Sequence, residues 1–305
     1  MNEKKLVFSI LMANYNNGRY IKEAIKSILA QIYNNWELII VDDASVDNSL
    51  NVIQPYLKDK RIKLFKHKKN LGCGATKKNC ARNAIGDIFG IVDSDDFLHK
   101  EAINEMIKKY KNNHDLGCVY STFYECDKNL KVIRINPWVK MIENKKNNLI
   151  KSFSSHFLTF RKNVYIKTTG FDEEQKSAVD KDIIYKLEEV CKFAFINKPL
   201  YYYRIHDKNI SLGRYEQEAS AFGILAKYKA YKRRKKSNIL NLQKKDMTNL
   251  LLLSVIKFFM SLNFVYTFKM IKNSFFLKPI NLVGYKFVVK KIFQEIKHKL
   301  YLIKK

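Results

Sequence analysis

Between Ile91 and Leu98 the chain reads IVDSDDFL, an apolar strand candidate that runs into three carboxylates, Asp93, Asp95 and Asp96. With 57 Lys+Arg against 29 Asp+Glu, the chain has little reason to crowd acids unless they hold something cationic. Acids gathered where a strand ends form a cradle for a hard divalent ion that bridges to phosphate. A second acidic strand end lies upstream in WELIIVDDASVDNS, where Asp42 and Asp43 follow an equally apolar run. Two parallel-type strands ending in acids imply one shared crevice at the carboxyl edge of an open α/β sheet.

The elements needed to build that crevice alternate along the first hundred residues. Leu6 to Ala13 reads as a first buried strand, and a helix follows with Ile21, Ile25, Ile28 and Leu29 on one face. Leu38–Val41 and Ile62–Lys66 are the next strands. Between them Ser45 or Asp47 is placed to cap a helix carrying Leu50, Ile53 and Leu57. Gly72 and Gly74 open a helix through Ala84, Asp87–Val92 delivers the acids, and Glu101–Tyr110 is helical again. This βαβα order predicts a mostly parallel, Rossmann-like sheet with flanking helices. From Gly117 to Ile135 the pattern becomes a hairpin turning at Asp127-Lys128-Asn129. A helix around Asp182–Val190 and an aromatic strand, Leu200–Ile205, follow.

The whole chain has a formal charge of +28 with 47% apolar residues, which excludes a disordered polypeptide and points to an anionic partner. The five cysteines are scattered without C-x-x-C spacing, as expected of a reducing compartment rather than a disulfide framework. The apolar run at the N-terminus is short and alternates into a polar turn, so it reads as a strand and not a signal peptide. Two domains are expected: 1–213, in two halves that divide at about residue 100, and a basic helical extension, 214–305. That extension holds 21 Lys+Arg against 4 Asp+Glu. KRRKK (Lys232–Lys236) precedes an apolar run, Asn249–Phe268, that Lys257 and Asn263 interrupt. An amphipathic segment on an anionic membrane surface fits this better than a spanning helix, and packing on the catalytic domain or a sister subunit is the other reading.

Taken together, five pieces in order resemble the inverting family 2 glycosyltransferases of GT-A fold, over about residues 6 to 211. They are SILMANYNNGRYIKEAIKSILAQ, WELIIVDDASVDNS, NLGCGATKKNCARNAIGDIFGIVDSDDFL, GFDEEQKSAVDKDIIYKLEE and YYYRIHDKNIS. The resemblance implies a nucleotide-diphosphate sugar as donor, most readily a UDP-sugar, and a glycan or lipid-linked hydroxyl as acceptor. It also implies Mn²⁺ or Mg²⁺ as cofactor, and the basic extension adds an expectation of work at the inner, cytoplasmic face of the cell membrane. In its terms Ala13 and Tyr15 line the donor's base, Tyr15 by stacking, and Asp43 accepts from the base. Asp93 meets ribose, Ser94 lies beside it, Asp95 holds the metal, and Asp96 orients the loop or the sugar. By its place on the helix after Gly72, Arg82 lines the same edge together with Asn83; Arg82 or Lys78 then meets a diphosphate or sugar hydroxyl, or the two belong to a solvated helix face. His206 closes over the diphosphate or completes the metal shell. Asp180 occupies the position of the general base, with Val179 where the family usually has Glu and Asp182 as the competing acid. His156 reads as a core or rim histidine, and Trp138 either stacks on an acceptor sugar or packs.

Three other classes stay open at this point, one of them a non-catalytic nucleotide-binding subunit of the same fold, which the presence of Asp43, Asp95 and Asp180 together disfavours. A nucleotidyltransferase would use a Gly-rich basic loop after the first strand, yet NYNNGRY has one glycine. A basic nucleic-acid-binding protein would not need acids at strand ends, and nucleic acid is not an expected partner.

Overall fold

The computed structural model describes residues 5–142, 149, 155–210 and 215–237. Two compact units make up the chain, Met1–His206 and Asp207–Lys305. The first unit opens with two strands buried along nearly their whole length, β1 (Phe8–Asn14) and β2 (Trp36–Asp42), and a half-buried edge strand, β3 (Ile62–Lys66). The first two are apolar runs too short for a buried helix, which is why they enter a sheet covered on both faces, while β3 interleaves Lys63 and Lys66 with its apolar residues at the sheet edge. Helix α1 (Ile21–Leu29) connects the first two, burying Ile21, Ala24, Ile25 and Ile28 at helical spacing. The second connection was expected as one helix to Leu57. It forms α2 (Ser49–Ile53) followed by a 3₁₀ turn, Gln54–Lys58, because Pro55 supplies no amide to continue the α-helical ladder.

Helix α3 (Cys73–Asn83) leads to β4 (Ile88–Ile91), which pairs parallel to β1 and completes a parallel set in the order β3-β2-β1-β4. Past β4 the sheet is mixed. The short β5 (Phe97–Leu98) and helix α4 (Ala102–Asn112) precede a hairpin of β6 (Leu116–Cys126) and β7 (Val132–Ile135). Strand β8 (Leu158–Arg161) runs antiparallel to both β4 and β6 and joins the two halves. Helices α5 (Lys162–Tyr165) and α6 (Val179–Glu188) follow. The last strand, β9 (Lys192–Arg204), pairs parallel with β6 and antiparallel with β5, so the full order is β3-β2-β1-β4-β8-β6-β9-β5 with β7 on β6. One continuous apolar core, from Phe8 through Tyr201, underlies both halves.

In the second unit the described element is α7 (Glu216–Lys236), with Glu216 and Glu218 in its first turn and Arg233 to Lys236 in its last. That charge order complements the helix dipole. KRRKK therefore closes a helix, while residues 249–268 lie outside the described residues. Among the described residues no helix is long and apolar enough to cross a membrane.

Candidate active site

Strand β4 ends at Ile91, and the turn after it displays the acids. The end of β9 braces that turn from the far side of the sequence. Tyr201 donates its hydroxyl proton to Asp96 Oδ2 at 2.7 Å, and the Tyr201 hydroxyl oxygen accepts the Asp93 amide at 3.1 Å. The Arg204 amide donates to Asp96 Oδ1 at 2.8 Å, while its guanidinium donates to the Asp95 carbonyl at 2.7 Å and reaches Glu23. His206 Nε2 lies 3.0 Å from Asp95 Oδ2, and its ring packs on Tyr20 with centroids 4.7 Å apart. Ser94 is buried and accepts from Asn17 at 2.9 Å. A turn that would otherwise fly apart by charge repulsion is thus held by donors from three directions.

The electrostatics of the turn are uneven. Burial and the charges of Asp95 and Asp93 push the Asp96 carboxyl well above the usual carboxylate range. Burial also works against ionised Asp93, yet the Lys77 ammonium at 2.8 Å outweighs it and holds Asp93 low. Lys77 is itself buried; desolvation opposes its charge, and Asp93 more than compensates, raising it. His156 stacks on Tyr203 with centroids 4.0 Å apart, and burial depresses its basicity. One ligand atom each from Asp93, Asp96 and His156 falls within 4.8 Å of the others, a donor set of two oxygens and one nitrogen. Oxygen-rich sites with an imidazole suit Mn²⁺ and, less readily, Mg²⁺. A cation there would also offset the repulsion from Asp95 and Asp93 that raises the Asp96 carboxyl, so the residues fit such an ion. Asp95, the expected metal ligand, is not in this trio and faces His206.

The neighbouring strand end is equally organised. Asp42 accepts from Asn14 Nδ2 at 2.7 Å and from the Ser45 amide at 2.9 Å, which ties β1 to β2. Asp43 accepts the Leu71 amide on Oδ1 and the Gly72 amide on Oδ2, each at 2.8 Å, and His67 Nδ1 lies 2.7 Å from Oδ1. Gly72 has φ of 91°, which a side chain would strain, and that conformation aims its amide at Asp43 as α3 begins. Ala44, directly after Asp43, holds a left-handed φ of 60°. Non-glycine residues in that region cost about 1 kcal/mol or more and persist where the surroundings dictate them. Ala13 lies opposite Val41 in the sheet register, and Tyr15 stands exposed at the end of β1. Asp47, expected as a helix cap, instead lies one residue ahead of Asn48, the N-cap of α2, and accepts from the amides of Ser49 and Gly18.

Helix α6 supplies the remaining acid. It starts at Val179, three residues earlier than its apolar spacing predicts, because Ala178 enters left-handed with φ of 52° and turns the chain into the helix. Asp180 therefore occupies the first turn. Its negative charge favours the protonated forms of Lys77, Cys73 and His156. Asp182, its rival, is buried and pairs with Lys186 at 2.6 Å, and that ammonium also donates to the Gly170 carbonyl. Gly74 lets the start of α3 meet the segment ahead of α6; a Cβ there would lie 2.1 Å from the Asp172 carbonyl oxygen.

Not every expected residue reaches this crevice. Arg82 and Asn83 do not line it: α3 begins beside Asp43 and ends ahead of β4, so its last turn lies at the opposite edge of the strands. There Arg82 pairs with Glu173 at 3.3 Å, as does Lys78 at 3.0 Å, and Asn83 folds back on Asn79. Conversely, Lys77, His156, Tyr201, Arg204 and His67 were not singled out as site residues. Lys77 looks like one more basic residue on a helix, and only its burial distinguishes it.

A parallel β3-β2-β1-β4 set continued by antiparallel strands, with an acidic turn closing β4, is the GT-A fold. Glycosyl transferase family 2 matches residues 9–169, more than half the chain, and the protein belongs to that family. The chain is 30% identical over 218 residues to chondroitin synthase of Escherichia coli, covering 71% of this chain but only 32% of that enzyme. In fold it resembles S. aureus TarS in complex with UDP-GlcNAc, with TM-score 0.57, 19% identity and coverage of 83% of this chain and 73% of that one. It also resembles the mannosyltransferase PcManGT from Pyrobaculum calidifontis in complex with GDP-Man and Mn²⁺, with TM-score 0.57, 12% identity and coverage of 95% and 85%.

Proposed function

We propose that the protein transfers a sugar from a nucleotide-diphosphate donor, of the UDP-sugar kind, to a hydroxyl of a glycan or lipid-linked acceptor with inversion at the anomeric carbon. The observation that carries this reading is the convergence of Asp93, Asp95 and Asp96 on one braced turn, with Lys77 and Asp180 facing it. TarS was solved with UDP-GlcNAc and PcManGT with GDP-Man and Mn²⁺, both nucleotide-diphosphate sugars. The preference for uracil rests on Asp43. Its Oδ2 holds a single amide partner and keeps a lone pair for the N3–H of a pyrimidine base, with Tyr15 exposed nearby to stack.

In the transfer step the acceptor oxygen bonds to the anomeric carbon as the bond to the β-phosphate oxygen breaks. Asp180 takes the acceptor's proton, and the nucleoside diphosphate leaves with the electron pair. Asp182 is spent on Lys186, which leaves Asp180 as the base. Lys77 holds Asp93 ionised for ribose or phosphate contacts, and Tyr201 and Arg204 keep Asp96 and the turn in register. A divalent ion held by Asp93, Asp96 and His156, with Asp95 adjacent, would neutralise charge on the leaving diphosphate. The basic tail supports a site of action at the inner face of the cell membrane.

Calorimetric titration with UDP, GDP, dTDP and CMP, each with and without Mn²⁺, tests the donor reading on the wild type and on Asp95→Ala and Asp93→Ala. Metal-dependent binding of one diphosphate, lost in the variants, is the expected result. Binding indifferent to metal and to both aspartates would overturn it.

A further inference from the structure

Strand β7 contradicts its own composition. Three of its four residues are apolar, yet Val132, Ile133 and Ile135 are 44, 60 and 51% exposed, and Arg134 is exposed as well. A sheet that faces water on one side normally buries alternate residues on the other, and here both faces are bare. Just beyond it Trp138 is 76% exposed and Met141 62%. Exposed aliphatic residues scattered singly need no explanation, but five within ten positions, one of them tryptophan, form a patch.

The backbone beneath this patch is fixed. Asn136 Oδ1 accepts the amides of Trp138 and Val139, at 2.9 and 3.2 Å, and its Nδ2 donates to Glu125 at 2.7 Å. Tyr120 donates to the Lys140 carbonyl at 2.8 Å and accepts the Ile142 amide at 2.9 Å, and Val139 is buried as an anchor. At the hairpin turn Asp127 Oδ1 accepts the amides of Asn129 and Lys131. The indole is thus displayed from a rigid support.

Charge says what the patch faces. Lys128, Lys131 and Lys140 flank it, all exposed and without a carboxylate partner among the described residues. The nearby acids are engaged: Glu125 by Arg134 at 2.7 Å, and Asp127 by its own turn. Apolar tips with tryptophan among them and lysines around them match the boundary between acyl chains and anionic headgroups. A second copy pairing along β7 would bring these lysines together, and lysine on an edge strand works against such pairing. A carbohydrate could stack on Trp138 but finds no polar partner in Val132, Ile133, Ile135 or Met141.

We propose that the β6–β7 hairpin and the loop through Met141 dock the catalytic unit on an anionic lipid bilayer, with Ile133, Ile135 and Trp138 entering the interface. The hairpin is also strapped to the acidic turn. Arg204 Nη1 donates to the Lys128 carbonyl at the hairpin tip, 2.7 Å away, while Nε of the same guanidinium donates to the Asp95 carbonyl. Docking therefore fixes the crevice beside the lipid surface, where an acceptor carried on a lipid is presented. The proposal concerns the surface alone and stands apart from the choice of donor.

Tryptophan emission tests it directly on the full chain. The protein has two tryptophans, and Trp36 is buried under the Arg61 guanidinium, so a spectral response reports Trp138. Vesicles of equimolar phosphatidylcholine and phosphatidylglycerol should shift the emission to the blue, and acyl-brominated lipid should quench it. Trp138→Phe should abolish both responses, and the pair Ile133→Ser with Ile135→Ser should abolish the shift while Trp138 remains. Replacing Lys128, Lys131 and Lys140 by alanine should weaken vesicle binding about a hundredfold. Protein that co-sediments with vesicles while Trp138 stays in water would overturn the proposal, as would failure to bind these vesicles. A blue shift on raising protein concentration alone, or on adding soluble oligosaccharide alone, would overturn it in favour of a second copy or a glycan.

Discussion

The Lys77 ammonium lies 2.8 Å from Asp93 Oδ1, and the lysine side chain is 6% exposed while the aspartate is 35% exposed. Breaking a fully enclosed pair costs about 3–5 kcal/mol, because a charge is left without water or partner. Here the surviving aspartate keeps part of its hydration. Lys77→Met is therefore expected to lower stability by about 2 kcal/mol, below the enclosed-pair range. Denaturant melts of the variant against wild type measure this; an unchanged midpoint would show that the pair contributes nothing net.

Asp180 and Asp182 stand two residues apart and are expected to fail differently. Asp180→Asn should reduce kcat by about 10²–10⁴, the usual contribution of a positioned general base, while nucleotide binding stays near wild type. Asp182→Asn should weaken the Lys186 pair and appear as a lower melting temperature with a smaller effect on kcat. Turnover and calorimetry on both variants separate the two; equal kcat losses would remove the distinction.

Tyr201 serves two neighbours with one oxygen, donating to Asp96 and accepting from the Asp93 amide. Tyr201→Phe leaves both without that partner in a buried place, at about 1–3 kcal/mol. The loosened turn should also weaken metal-dependent nucleotide binding. Melting temperature and nucleotide affinity, measured together, should both fall.

Glu37 gives the fold a pH signature away from the site. Burial would raise its carboxyl, but hydrogen bonds from Ser9, Lys63 and the Ile85 amide overcome that and hold it below the ordinary glutamate range. The unfolded chain then binds a proton more readily than the folded one. The stabilisation is present above the ordinary glutamate pKa and is lost as pH falls through the lower, folded value. Glu37→Gln should flatten this acid limb of stability. A variant whose stability still falls as steeply over that range would assign the acid sensitivity to other carboxylates.

The parallel half of the sheet was legible because its signals are local. Apolar runs of strand length alternate with helical faces such as Ile21, Ile25 and Ile28, and three acids in a basic chain stand out unaided. The brace on those acids was not legible in the same way. Tyr201 and Arg204 lie more than a hundred residues downstream of Asp96 in a run that reads simply as aromatic strand. Lys77 is indistinguishable in sequence from Lys78, although one is buried against Asp93 and the other half-exposed beside Glu173. Arg82 and Asn83 were misplaced because their motif says nothing about which end of α3 faces the strand ends. The start of α6 escaped notice because a left-handed alanine carries none of the usual capping chemistry.

The antiparallel insertion of β8 between β4 and β6 has a consequence for synthesis on the ribosome. Strands β1 to β4 can assemble as soon as Ile91 has emerged, but the outer edge of β4 finds its partner only when Leu158–Arg161 appears. At ordinary elongation rates the intervening stretch of about 70 residues takes roughly 4–14 s to make. For that interval the nascent chain carries an apolar strand with unpaired amides and carbonyls, the form of edge on which chains aggregate. Slow codons or a stalled ribosome between residues 92 and 157 would prolong that exposure, so the yield of folded enzyme should depend on the tempo of translation in this window more than in the rest of the gene.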